Sequence, residues 1–242
     1  IESGCKTFGE FYLRVVNDAS QGLRDKIVDA ITTNETSWFR DRSPYTVFTE
    51  VILPDYIAQL ESGKKMKVRI WSAACSTGQE PYSLAILIQD YLNKHPGTIV
   101  KPQHFEIMGT DISPSALMLA IGGRYDQISI ARGLDDSYKA RFFKPMGRVW
   151  ALDEAIKRMV IFKKFNLQNN FTALGVFDII FCRNVAIYFS DEFKRDLFTR
   201  LYRALTPNGY FFLGSAESIT GYSTSFDLKD YKRAIYYRPK QG

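Results

Sequence analysis

Arg183 and Asn184 directly follow Phe177-Asp178-Ile179-Ile180-Phe181-Cys182, a nearly all-apolar run that reads as a strand buried on both faces. Ligands of open α/β sheets bind beyond the carboxyl ends of the strands, so an arginine and an amide there are groups placed for recognition. Taken alone, the segment reads equally well as a core strand with a solvated exit. Two further segments have the same form. Val68-Arg69-Ile70-Trp71 runs into the small residues 72–78, Ala74 among them, where backbone can approach a ligand closely. Glu80 and Pro81 then open a helix, and proline suits a first helical turn. Phe105-Glu106-Ile107-Met108-Gly109-Thr110 ends in Asp111, a carboxylate suited to the ribose hydroxyls of a nucleoside. The 72–78 loop is not G-x-G-x-x-G and lacks the Lys-Ser/Thr of a phosphate loop, which argues against NAD and against a nucleoside triphosphate. A nucleoside without phosphates fits better, and S-adenosylmethionine is the common one.

The elements that must position these groups follow from periodicity. Phe8, Phe11, Tyr12, Val15 and Val16 have helical spacing, continued after Gly22 by Leu23, Ile27 and Ile31. Val47, Phe48, Val51, Ile52, Tyr56 and Leu60 form a third helical face, expected to break at Pro54. Ser62-Gly63-Lys64-Lys65 is a short linker, after which strands and helices alternate in the manner of a doubly wound sheet. Leu84, Ile86, Leu87, Ile88, Tyr91 and Leu92 give the helix after the small-residue loop its apolar face. Residues 122–165 interrupt the alternation. Segments 148–152 and 158–162 read there as short strands near a turn at Gly147, forming a small antiparallel unit. An amphipathic helix from Asp191 to Leu205, capped by Ser190, leads through Pro207-Asn208-Gly209 into a strand over 210–214, and 234–238 reads as a last strand.

Composition sets the remaining bounds. With 242 residues, 45% hydrophobic and 24% charged, the chain is an ordinary globule able to bury one core plus a small partner domain. No apolar run approaches the ~20 residues of a membrane span, so no membrane insertion is expected. There is no signal peptide, and Ile1 is not a natural start, so the chain is expected to be a fragment. Cys5, Cys75 and Cys182 show no metal spacing and read as reduced thiols of a cytoplasmic protein. With His95 and His104 the only histidines, neither a metal site nor a Ser-His-Asp machine is expected. The net charge of +6 is concentrated in residues 120–165, with ten basic against five acidic side chains. A solvated face is the ordinary account, and a docking surface for an acidic partner the sharper one. No basic-aromatic repeat or helix-turn-helix pattern points to nucleic acid.

Together with Asn34-Glu35-Thr36-Ser37-Trp38-Phe39-Arg40, these segments resemble the chemotaxis receptor glutamate methyltransferases, the CheR family. The resemblance runs in order along nearly the whole chain: N-E-T-x-aromatic-F-R, W-S-A-A-C-S-T-G-Q-E-P-Y-S, G-T-D-I-S, F-N-L, F-C-R-N-V-x-I-Y-F and P-N-G-Y-F-F-L-G-x-x-E. It implies an α/β fold: a Rossmann-like S-adenosylmethionine-dependent methyltransferase sheet over 63–242, with an antiparallel β-subdomain inserted at about 122–165. An N-terminal helical domain and linker over 1–62 would precede it, lacking about its first helix. The implied cofactor is S-adenosylmethionine, leaving as S-adenosylhomocysteine. The implied reaction is methyl transfer to glutamate carboxylates in the cytoplasmic helical bundle of methyl-accepting receptors, in an enzyme recruited to membrane receptor arrays.

By the same resemblance Arg40 and Tyr188 are the catalytic candidates. Asn34, Thr36, Arg40, Ala74, Glu80, Asp111, Asn166, Leu167, Cys182 and Arg183 are the cofactor-binding candidates, with no metal. Gln79 stands where a second glutamate is common, and Trp38 where phenylalanine is. Some members hold a receptor C-terminal pentapeptide on the β-subdomain. Here the turn Lys144-Pro145-Met146-Gly147 is short, and independence of such a tether is expected. A non-catalytic cofactor sensor, a nucleic-acid methyltransferase or an inactive receptor-binding scaffold are the rival classes. Intact Arg40 and Tyr188 argue against the sensor, and the lack of an N/D-P-P-Y type motif argues against nucleic acid.

Overall fold

The computed structural model describes residues 4–240; Ile1 and the extreme ends of the two expected domains lie outside them. Helix α1 (Phe8–Val16) is capped by Thr7, whose Oγ1 accepts the Glu10 N–H, and α2 (Gly22–Ile31) follows. Neither helix contributes a buried residue. Trp38 begins the core: its indole donates to the Ser129 carbonyl at 3.1 Å and meets Tyr125 and Phe143 edge-on. Helix α3 (Ser43–Val47) passes through a π-helical turn, Phe48–Ile52, into α4 (Leu53–Glu61). The break expected at Pro54 does not occur. The wider π turn takes up the change of hydrogen-bond register, so a residue without an N–H sits in the first turn of α4.

The alternating part comprises β1 (Val68–Ala73), α5 (Gln79–Lys94), β2 (Phe105–Asp111), α6 (Pro114–Gly122), β3 (Arg124–Asp126), α7 (Gln127–Ala131), α8 (Asp136–Phe142), β4 (Phe143–Met146), β5 (Val149–Leu152), α9 (Glu154–Lys157), β6 (Val160–Lys164), β7 (Phe177–Cys182), α10 (Asp191–Arg203), β8 (Leu205–Phe212), β9 (Phe226–Tyr231) and β10 (Ala234–Pro239). The main sheet has the order β6-β2-β1-β7-β8-β10-β9, parallel except for β10, which runs against both its neighbours. Side chains alternate across it. Ile179 and Phe181 enter one apolar cluster with Ile70 and the helices α4 and α5, while Ile180 and Cys182 enter the other with Trp71 and α10.

Two sequence expectations are corrected here. The segment expected as a strand over 158–162 is not part of the inserted unit: β6 pairs in parallel with β2 at the edge of the main sheet, Val160 opposite Ile107. A short apolar run carries no record of its partner strand, and only Val160 of β6 is fully buried. The inserted sheet is β3-β5-β4, all antiparallel. Lys144, Pro145 and Met146 are within β4, so the connection to β5 is only Gly147-Arg148, with Gly147 at φ 63°. Among the described residues no helix is long and apolar enough to cross a membrane.

Candidate active site

Strands β1 and β7 lie side by side, and the chain leaves them in opposite directions, to β2 on one flank and β8 on the other. A crevice opens beyond the strand ends at such a reversal. It is a cavity of about 350 Å³, within the usual range of small-molecule sites. Asn34, Thr36, Arg40, Ala74, Glu80, Asp111, Asn166, Leu167, Arg183 and Tyr188 all line it. Cys182 does not. The period-two alternation of β7 sends its thiol into the core with Ile180, where burial pushes its pKa well up.

The small-residue loop after β1 is a left-handed stretch, with φ of 59° at Ala74, 50° at Ser76 and 93° at Gly78. At Gly78 a side chain has no room, since an added Cβ would lie 2.9 Å from that of Ala120. This conformation turns the Ser76 N–H onto Asp111 Oδ2 at 2.7 Å, and the Ser113 N–H reaches Oδ1 at 2.9 Å. Burial raises the Asp111 pKa, and these N–H groups act against the rise. Each carboxylate oxygen thus keeps a lone pair beyond its one N–H, the requirement for accepting a pair of hydroxyls.

Arg183 forms the back of the cavity. Its side chain is 1% exposed. Nη1 donates to Glu80 Oε2 at 2.8 Å, and Nη2 to Asp41 Oδ2 at 2.7 Å and to the Arg40 carbonyl at 2.8 Å. Glu80 Oε1 accepts from Ser72 Oγ at 2.7 Å. Burial works against the guanidinium charge, but Glu80 first and Asp41 after it outweigh this, so the Arg183 pKa stands above the ordinary value. The same contacts pin a turn in which Phe39, Asp41 and Arg42 have φ of 48°, 66° and 49°. That turn presents Arg40, which donates from Nη1 to the Glu35 carbonyl at 3.1 Å.

The rim comes from three further segments. Ile31, Thr32, Thr33 and Asn34 cover one side. Asn34 Nδ2 donates to Ser113 Oγ at 3.3 Å, and Ser113 Oγ donates to Asp29 Oδ1 at 2.6 Å. This bond, with the ion pair of Asp25 and Lys164, fastens α2 over the strand ends, and Ser113 holds the Asp29 pKa below the usual carboxylate value. On the opposite side Asn166 Oδ1 accepts the Gln168 N–H, and Arg200 of α10 donates to the Leu167 carbonyl at 2.6 Å. Tyr188 is 62% exposed at the mouth.

Sequence reasoning assigned no role to Asp29 and picked out the 72–78 loop without singling out Ser76. Only the F-N-L motif could have flagged Phe165, another wall residue, and only G-x-x-E could have flagged Glu217. Among the described residues no group of His, Cys, Asp and Glu side chains is arranged to hold a metal ion.

A parallel sheet with one reversed strand and a buried carboxylate ending β2 at the crevice define an α/β enzyme of the Rossmann-like methyltransferase class. The profile described as CheR methyltransferase, SAM binding domain, matches residues 34–235. "Chemotaxis protein methyltransferase Cher2" of Pseudomonas putida is 39% identical over 240 residues, which is 99% of this chain and 86% of that one. "Chemotaxis protein methyltransferase 1" of Pseudomonas aeruginosa is 41% identical over 241 residues, covering 99% and 85%. A protein of the same name from Vibrio cholerae is 41% identical over 228 residues, covering 93% and 80%. The chain belongs to the CheR methyltransferase family and is a methyltransferase with a domain that binds S-adenosylmethionine.

Proposed function

We propose that the protein is a protein-glutamate O-methyltransferase acting on glutamate side chains of chemoreceptors in chemotaxis adaptation. The observation that carries this reading is the division of labour between two arginines. Both terminal nitrogens of Arg183 are engaged at the back of the cavity by Glu80, Asp41 and the Arg40 carbonyl, while Arg40 and the exposed Tyr188 stand at its lining and mouth. The buried Asp111 carboxylate, the left-handed loop and the apolar Phe165 and Leu167 wall fit an adenosine group. Asn34, Thr36, Ala74, Glu80, Asn166 and Arg183 would complete its surroundings. When bound, S-adenosylmethionine supplies a methyl group on a positively charged sulfur.

The protein's own task is then positioning. A glutamate carboxyl ionises near pH ~4.3, so it is already an anionic nucleophile at neutral pH and no general base is needed. Arg40 orients the incoming carboxylate, and the Tyr188 hydroxyl donates to it. Arg40 gives rate only if it does not hold the anion more tightly than the transition state. The ester product is neutral and loses the charge-assisted bond to Arg40, which favours release. The substrate is the cytoplasmic helical bundle of the receptor, so the protein works in the cytoplasm, recruited to receptor arrays. The two-residue turn at Gly147-Arg148 supports independence of a receptor pentapeptide tether.

The test is incubation with radiolabelled S-adenosylmethionine and chemoreceptor-containing membranes. Base-labile methyl on the receptor is expected. Absence of label, or label that resists base, refutes the proposal.

A further inference from the structure

The segment after β8 carries a carboxylate, Glu217, that is held by backbone N–H groups. Glu217 Oε2 accepts the N–H groups of Asn184 at 2.7 Å and Gly214 at 2.7 Å, and Oε1 those of Val185 at 3.0 Å and Ile187 at 3.3 Å. Bonds from N–H groups to an anion are about twice as strong as neutral ones. Three of the four donors belong to the stretch joining Arg183 to Tyr188. Asn184 has φ of 59°, the left-handed conformation that asparagine tolerates better than other residues with a side chain. Arg183 is fixed on one side of it by Glu80 and Asp41. Beyond it, the Tyr188 N–H donates to the Val185 carbonyl at 3.2 Å. Because the Tyr188 ring is mostly exposed, packing does little to place its hydroxyl. The backbone that Glu217 grips has to do so.

We infer that Glu217 is a positioning residue for the transfer step, setting the Asn184–Ile187 backbone so that Tyr188 points at the cavity mouth. Gly214 belongs to the same device. An added Cβ there would lie 2.6 Å from Asn184 Nδ2 and 2.8 Å from Glu217 Oε2, so only glycine lets the carboxylate approach the loop. This inference rests on the proposed role of Tyr188.

The test is a double-mutant cycle of Glu217→Gln with Tyr188→Phe, read as kcat on receptor membranes, alongside S-adenosylhomocysteine affinity by calorimetry. Glutamine keeps the shape but turns an NH2 toward two of the N–H donors. A displacement of about 1 Å can cost about 100-fold in rate, so kcat of Glu217→Gln is expected to fall about 30- to 100-fold, with KM and cofactor affinity changed less than about threefold. In the Tyr188→Phe background the further loss is expected to be under about threefold, the non-additivity of residues acting as a unit. A purely structural turn would give losses that multiply, and that result overturns the inference. So does a Tyr188→Phe protein with wild-type kcat. Wild-type protein that transfers no methyl at all instead defeats the underlying function. If Glu217→Gln does not fold, Gly214→Ala, which crowds the carboxylate without removing it, is read in the same cycle against the same outcomes.

Discussion

Replacing Arg183 with methionine removes the guanidinium and keeps most of the buried stem. Glu80 then retains only the Ser72 hydroxyl, 2.7 Å from Oε1, in a site where it is nearly sequestered from water. Breaking a buried pair from one side costs about 3–5 kcal/mol. Asp41 is a quarter exposed at the side chain, so its share is that of a screened pair, about 0.5–1 kcal/mol. The Arg40 carbonyl loses an acceptor bond of about 1 kcal/mol. The sum of about 4.5–7 kcal/mol is a large part of the roughly 5–15 kcal/mol of an ordinary domain. At about 2–4 °C per kcal/mol for a chain of this size, Tm is expected to fall by about 9–28 °C in differential scanning calorimetry at pH 7. Adding Glu80→Gln removes the stranded charge, so the double variant is expected to recover much of the loss. A drop worth less than about 1 kcal/mol, or a double variant no better than the single, would show that Arg183 is not a buried counter-charge.

Asp111→Asn is expected to weaken S-adenosylhomocysteine binding about 10- to 100-fold, the value of a hydrogen bond to a charged acceptor; equal affinity by calorimetry removes Asp111 from the site. Burial raises the Asp111 pKa above its unfolded value of 3.8, so ionising it opposes folding. Ligand-free wild type should therefore lose stability relative to Asp111→Asn as pH rises from 3.8 past the folded pKa, then run level; parallel curves refute this. Arg40→Ala is expected to lower kcat/KM on receptor membranes about 100-fold with cofactor affinity nearly unchanged, whereas parallel losses would make Arg40 a cofactor ligand. Titration with a free receptor C-terminal pentapeptide is expected to show no binding, and a micromolar Kd would overturn tether independence.

What the sequence disclosed depended on the kind of signal. The buried strands ending in Asp111 and Arg183 were legible because apolar runs break abruptly into polar residues, and the parallel sheet followed from their alternation with helices. Motif order collected residues as distant as Asn34 and Tyr188 that the structure brings to one cavity. Pairings between remote residues leave no such trace. Asp29 meets Ser113, and Glu217 meets Asn184, across long stretches of chain that no periodicity connects. β9 escaped notice because Phe226-Asp227-Leu228-Lys229-Asp230-Tyr231 is half charged and needs only one good partner, β10. The apolar triplet in β6 gave a strand but not its sheet. Pro54 signalled a break that a π turn absorbs.

The fastening of α2 has a kinetic meaning. No residue of α1 or α2 is fully buried, and α2 is held over the strand ends by the Asp29–Ser113 bond and the Asp25–Lys164 ion pair. A piece attached in this way separates from the rest in a sub-global opening, far below the free energy that melts the sheet. Amide protons of α2 should therefore exchange with deuterium orders of magnitude faster than those of β1 and β7. Added salt should quicken the first and leave the second alone, since screening reaches the exposed ion pair and not the sheet ladder. Access to the crevice is then expected to depend on the ionic strength around the molecule as well as on its architecture.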